Sequence, residues 1–217
     1  GRVTQTDVTD PRGSVTRWNF NTSKYPTSRI EVLGASEERT TTWTRDGTTH
    51  QVTRVTDELS RNTDFTYDSL GNVESVTRLA GTGDAVTTEF TYETTYSQVA
   101  TVTDPLSQTT SFTRNGTGDV TTITDPLSHQ TTLTYNAAGQ PLTLTAPAGT
   151  TSFAYDLGDL VSVTDPLSQL TTRFYDAVGR LLRTTYPLGQ STRYEMDALT
   201  ATTEIIDALG GETTFTY

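Results

Sequence analysis

The sequence predicts an all-β fold, tandem hairpins paired into one continuous antiparallel sheet, on three observations. The first is a ladder of large side chains two residues apart, recurring every 20 to 25 residues or so from one end of the chain to the other. The second is a recurring set of Pro, Gly, Asn and Asp turn signals between short β-prone runs. The third is the absence of any window with a convincing helical period. Side chains at i and i+2 point the same way from a strand, so each pair marks one face of one strand.

Taken in order, the clearest rungs are Trp18/Phe20, Phe65/Tyr67, Phe90/Tyr92, Phe153/Tyr155 and Phe215/Tyr217. Degenerate rungs fall between them: Trp43/Arg45, Phe112/Arg114, Leu133/Tyr135, Arg173/Tyr175 and Tyr194/Met196. The segment from Asp125 to Thr145 gives the unit most cleanly. Asp125-Pro126-Leu127-Ser128 forms a first turn, in which proline fixes φ and aspartate bonds the turn backbone. The strand Thr131–Tyr135 follows, then a second turn, Asn136-Ala137-Ala138-Gly139, and a second strand, Leu142–Thr145.

The first turn is repeated at Asp104-Pro105-Leu106-Ser107 and Asp165-Pro166-Leu167-Ser168, with variants at Tyr186–Gly189 and Asp207–Gly210. The second turn is repeated at Asp68–Gly71, Asp156-Leu157-Gly158 and Asp176-Ala177-Val178-Gly179. An apolar pair three apart marks the second strand: Val52/Val55, Val73/Val76, Val99/Val102, Val120/Ile123 and Leu160/Val163. Residues three apart face opposite sides of a regular strand, so this pair either touches both faces or marks a bulge. Threonine is roughly a quarter of the chain and fills alternate positions, where its β-branch favours extended backbone. The expected sheet has an aromatic stripe on one face and threonine on the other.

Residues 1–217 read as one array of about ten repeats with no internal linker and no separate catalytic domain, cut from a longer array. The hydrophobic fraction, 32%, is low beside the 45–50% or so of compact domains. A layered sheet, in which each repeat buries its stripe against its neighbours, needs fewer apolar residues than a globule. The net charge of −11, without a basic cluster, argues against nucleic acid and anionic membrane as partners. With no cysteine there is neither a disulfide framework nor a thiolate metal site. No signal peptide, apolar span or lipidation motif occurs in the segment.

Tyr175-Asp176-Ala177-Val178-Gly179-Arg180, followed by a short strand and preceded by Thr164-Asp165-Pro166-Leu167-Ser168, resembles the YD repeats of Rhs proteins. Tyr67-Asp68-Ser69-Leu70-Gly71-Asn72 and Tyr155-Asp156-Leu157-Gly158 are close variants. The resemblance covers essentially the whole chain and is strongest from about Thr101 onward. It implies a hairpin strip that spirals into a hollow shell enclosing other polypeptide, as in Rhs toxins, Tc toxin components and teneurins. It further implies a bacterial protein, secreted or displayed at the cell surface, whose partners are the rest of the shell and an enclosed C-terminal toxin. The terminal self-cleavage core of such toxins has no match here, so no autoproteolytic residue is assigned.

Candidate sites are few. Asp104, Asp125, Asp165 and Asp207 supply one carboxylate per turn, which suits turn capping better than calcium, with its need for six to eight converging oxygens or so. Glu37-Glu38 reads as a solvated acidic pair. His50 and His129 lie in different repeats, so general-base catalysis by either is disfavoured. No catalytic, cofactor or metal residue is assigned, and the chain is not expected to be an enzyme. Arg45, Arg114 and Arg173 replace apolar rung members and are expected to stack on an aromatic of the next rung. The alternative function is an extracellular recognition surface that binds glycan or protein, with Tyr135 and Tyr155 as stacking residues. Open sheet edges are expected to promote self-association.

Overall fold

The structure is a computed structural model that describes residues 4–32, 38–197 and 201–216. Glu37 and Tyr217 lie outside the described residues. The chain divides into two compact units, Gly1–Ser111 and Phe112–Tyr217, and the division falls inside a strand and not in a linker. Every regular element among the described residues is an antiparallel strand, and no helix occurs.

The first unit holds β1 (Gln5–Thr9), β2 (Val15–Phe20), β3 (Pro26–Val32), β4 (Glu38–Arg45), β5 (Val52–Thr56), β6 (Asn62–Tyr67), β7 (Val73–Arg78), β8 (Val86–Tyr92), β9 (Val99–Thr103) and the start of β10 (Thr109–Arg114). The second holds the rest of β10, then β11 (Val120–Thr124), β12 (Gln130–Tyr135), β13 (Pro141–Ala146), β14 (Gly149–Asp156) and β15 (Asp159–Thr164). It continues through β16 (Leu170–Tyr175), β17 (Leu181–Thr185), β18 (Ser191–Met196), β19 (Thr202–Ile206) and β20 (Glu212–Thr214). Within each unit the described strands pair only with their chain neighbours, and the first does not close on the last. Each sheet is an open meander.

Two kinds of hairpin alternate. β1–β2, β3–β4, β5–β6 and β7–β8 pair in unbroken register, as do β11–β12, β13–β14, β15–β16 and β17–β18. Between them, β2–β3, β4–β5, β6–β7, β8–β9, β12–β13, β16–β17 and β18–β19 each carry a register shift at the last residue of the leading strand, and β14–β15 carries it one residue earlier, at Tyr155. The shift decides the question left open by the apolar pair three apart. Phe65 lies opposite Val76 and Thr66 opposite Ser75, but Tyr67 lies opposite Val73, so Glu74 is the extra residue of a bulge. A pair two apart on one strand thereby meets a pair three apart on the other.

Both turn types close the same way. In Asp125–His129 the Asp125 amide donates to the His129 carbonyl at 3.0 Å, and Asp125 Oδ1 accepts from the amides of Leu127 (2.9 Å) and His129 (2.8 Å). In Asn136–Gln140 the closing bond is 2.9 Å, and Asn136 Oδ1 accepts from Ala138 (2.9 Å) and Gln140 (3.0 Å). The fourth residue is left-handed in each: Ser128 at φ 68° and Gly139 at φ 77°. One five-residue loop, capped by an Asx side chain, therefore serves both rims.

Two expectations need correction. Asp156-Leu157-Gly158 is not another five-residue loop. Asp156 lies directly opposite Asp159, leaving a two-residue turn with Leu157 at φ 50° and Gly158 at φ 98°. Such a turn needs positive φ at both central residues to match the strand twist. Nor is the stripe buried: among the described residues Ala80 alone is a buried hydrophobic, at 5% exposure. A sheet with no second layer over it covers its side chains only by their lateral neighbours, and half-burial is the result.

Candidate functional site

The chemistry of this chain lies on its two sheet faces and two rows of turns. On one face Trp18 and Phe20 stand opposite Arg29 and Pro26, and Trp43 opposite Val55. Phe90 and Tyr92 stand opposite Val102 and Val99, and Leu133 and Tyr135 opposite Leu144 and Pro141. Phe153 and Tyr155 meet Val163 and Leu160, Tyr175 meets Leu181, and Tyr194 meets Ile205. Phe112 lies on β10, and Phe215 follows β20 at 40% exposure. Trp18 and Trp43, two strands apart, stack with centroids 5.8 Å apart and planes 6° from parallel.

Four tyrosine hydroxyls link one repeat to the one before. Tyr67 donates to the Val52 carbonyl (2.7 Å), Tyr92 to Val73 (2.8 Å), Tyr135 to Val120 (2.7 Å) and Tyr175 to Leu160 (3.1 Å). Val52, Val73 and Leu160 are the residues set opposite the preceding rung by its bulge. The bulge disrupts the ladder there, and the phenol supplies a donor for the carbonyl. Partial burial raises the pKa of Tyr92 and Tyr135, with nearby Asp68 and Asp119 adding to it.

Arg45 fills a tyrosine position and does similar work. Its guanidinium donates to the carbonyls of His50 (3.0 Å) and Pro26 (3.4 Å) and lies 5.2 Å over the Tyr25 ring. The stacking partner is thus a turn residue of the preceding hairpin, not an aromatic of the next rung. Arg173 stands opposite Thr184, and Arg114 ends β10.

The opposite face is a field of hydroxyls. Thr77–Thr87, Thr91–Thr101, Thr134–Thr143 and Thr145–Thr150 pair across strands at 2.6–2.9 Å. Arg17 faces Asp7 and Arg54 faces Asp64 in register on this side, forming ion pairs of 3.1 and 2.6 Å. The sequence reading missed these pairs; the available signal was an aspartate and an arginine ten residues apart on either side of a turn.

The turn carboxylates of Asp125, Asp176 and Asp207 are held in their charged form. Asp125 is shifted down chiefly by the His129 ring, whose Nδ1 lies 2.9 Å from Oδ2. Backbone amides of Arg180 and Gly211 are the first cause of the downward shifts of Asp176 and Asp207. Asp104 and Asp165 accept the same pair of turn amides, with Pro105 and Pro166 next in the loop. Gly179, like Gly139, takes the left-handed fourth position, at φ 80°. His50 sits in its own turn at φ 61°, its ring 4.8 Å from that of Tyr25. Among the described residues no three His, Asp or Glu side chains converge as a metal cluster. Shallow depressions recur between successive turns, one lined by Asp119, Tyr135 and Asn136 and another by Asp159, Arg173 and Tyr175.

The architecture is similar to that of solved toxin shells. The chain superposes on TcdB2-TccC3 with a TM-score of 0.72 at 17% identity, covering 93% of this chain and 13% of that one. It superposes on TcdB2-TccC3 without its hypervariable C-terminal region with a TM-score of 0.73 at 16% identity and the same coverage. The Tc holotoxin pore of Photorhabdus luminescens, carrying a mutated TccC3, gives a TM-score of 0.72 at 18% identity, with 93% and 12% covered. The chain therefore spans about an eighth of the shells it matches. No curated protein matches it in sequence. The RHS repeat family model matches residues 48–82, 114–151, 155–191 and 175–210, more than half of the chain. The chain belongs to the RHS repeat family.

Proposed function

We propose that this chain is part of the wall of an Rhs-type shell that encloses a polypeptide cargo, such as a C-terminal toxin, and performs no chemistry itself. The observation that carries this reading is the single-layer meander of alternating bulged and straight hairpins, with chemically distinct faces and a repeat family that matches along its length. In this reading residues 1–217 form one array, the rung residues pack laterally as its ladder, and the capped turns are its two rims. Its partners are the remaining repeats of the same shell and the cargo, and the parent is a bacterial protein delivered outside the cell.

All five residues of β1 are exposed, and β1 pairs only with β2 among the described residues. An open edge of this kind invites further strands, from the rest of the array or from a second copy. Sedimentation of the isolated chain should show self-association; a compact monomer at high concentration would count against an open wall. For a recognition surface built on Tyr135, the geometry gives less support, since that hydroxyl is already committed to Val120. The test of enclosure is limited proteolysis of the parent protein with and without this array. Cargo that survives only when the array is present is the expected result, and equal cleavage in both would reject enclosure.

A further inference from the structure

One row on the hydroxyl face sets two arginines directly opposite each other. Where arginine occupies this face at Arg17 and Arg54, the residue across the strand is an aspartate. On β17 and β18 the corresponding pair is Arg183 opposite Arg193. Both are exposed, and neither has a carboxylate within ion-pairing distance among the described residues. Like charges directly opposite each other on a sheet are destabilising, so the pairing of the two arginines does not itself stabilise the strands. On a chain of net charge −11 it is also out of keeping with its surroundings.

Phe174, on β16, stands opposite Arg183 in the same row and is 57% exposed. The Arg183 guanidinium lies 6.0 Å from its ring centre. In the other bulged hairpins the residue between the two rung members is Asn19, Thr44, Thr66, Thr91, Thr134, Ala154 or Glu195, so Phe174 is the one aromatic side chain among them at this position. Beside this row run the hydroxyls of Thr172, Thr185 and Ser191, paired in register on the same three strands. On its other side Glu195 stands opposite Glu204.

We propose that Phe174, Arg183 and Arg193 form a binding site for an acidic oligosaccharide of the uronate type. Phe174 offers a flat apolar platform for a sugar ring, and the two guanidinium forks receive one carboxylate between them, relieving their repulsion. The neighbouring hydroxyls and the carboxylates of Glu195 and Glu204 accept hydrogen bonds from sugar hydroxyls. Those two carboxylates also decide between anions. They do so through hydrogen bonding and not through charge, since a uronate ring offers them hydroxyl donors that the side chains of an acidic peptide lack. This site goes beyond the wall role and stands whether or not the wall encloses cargo.

The test is calorimetric titration of the intact chain with a galacturonate hexamer, with a neutral galactose hexamer and a hexaglutamate peptide as comparators. The galacturonate hexamer should bind with a Kd at or below the millimolar range or so, weakening as salt is raised. Arg183→Gln and Arg193→Gln should each weaken it about tenfold or more, and Phe174→Thr should weaken it without altering the salt dependence. Since the arginines repel each other, Arg193→Gln should not lower the melting temperature, which keeps loss of binding separate from loss of fold. Absence of binding, equal binding of the neutral hexamer or the peptide, or unchanged affinity in the arginine variants would overturn the proposal.

Discussion

The repeat around β12–β13 and the repeat around β14–β15 build the same sheet from different connections. The first enters through the five-residue loop Asp125–His129 and turns through Asn136–Gln140, each capped by an Asx side chain. The second enters through Ala146-Pro147-Ala148-Gly149 and turns through Leu157-Gly158, with two residues in each loop. Both nevertheless carry the same bulge, Tyr135 shifted to Pro141 and Tyr155 shifted to Leu160. Register is thus set by which side chains must share a face, and loop length adapts to it. The tyrosines also differ. Tyr135 bonds the Val120 carbonyl at 2.7 Å, while the Tyr155 hydroxyl has no such bond among the described residues.

The largest expected difference between these repeats is at their glycines. Gly149 has φ 127°, and a Cβ there would sit 2.7 Å from Cβ of Pro166, so Gly149→Ala should cost about 3 kcal/mol. Gly139 has φ 77° with nothing nearer than 4.0 Å, so Gly139→Ala should cost only about 1 kcal/mol. Thermal and denaturant unfolding measure both, and equal losses would break the comparison. Tyr135→Phe should cost about 1 kcal/mol, the value of a typical hydrogen bond, and Tyr155→Phe less than about half of that. A larger loss at Tyr155 would contradict the assigned partners.

Two smaller effects sharpen the loops. Leu157, fully exposed at φ 50°, is a poor left-handed residue, and Leu157→Asn should raise stability by about 0.5–1 kcal/mol. Titration distinguishes the capped loops from the short ones. Asp125, Asp176 and Asp207 have folded pKa values below the ordinary aspartate value of about 3.9. Their stabilisation is fully present above that value and is lost as pH falls through their depressed folded values. Acid unfolding followed by circular dichroism should therefore begin only below the ordinary carboxylate range, and Asp176→Asn should reduce its pH dependence. An unchanged acid profile in that variant would remove Asp176 from the account.

Much of this was legible in the sequence. Pairs two apart gave the strands, and Asx with Gly or Pro gave the turns, because both signals are local. The bulge was visible only as an ambiguity, since three-residue spacing at Val73/Val76 fits two geometries until the partner strand is known. Ser107, Ser128 and Ser168 take left-handed φ of 63°, 68° and 63°, which serine does not advertise; the aspartate cap and strand closure impose it. The tyrosine acceptors lie fifteen to nineteen residues away on the neighbouring repeat, so no local pattern pointed to them. Half-burial of the ladder was also misjudged, because composition gives the width of an apolar stripe but not whether a second layer covers it.

The central claim is that a bulge in every second hairpin sets a pair three apart and a pair two apart on one face. Methyl-labelled NMR tests it most directly at β6–β7. The account predicts Overhauser contacts from the Phe65 ring to the Val76 methyls and from the Tyr67 ring to the Val73 methyls, in the same molecule. Val73 methyls that instead lie opposite Asp68, with Glu74 facing Tyr67, would mean an unbroken register, and the account would be wrong.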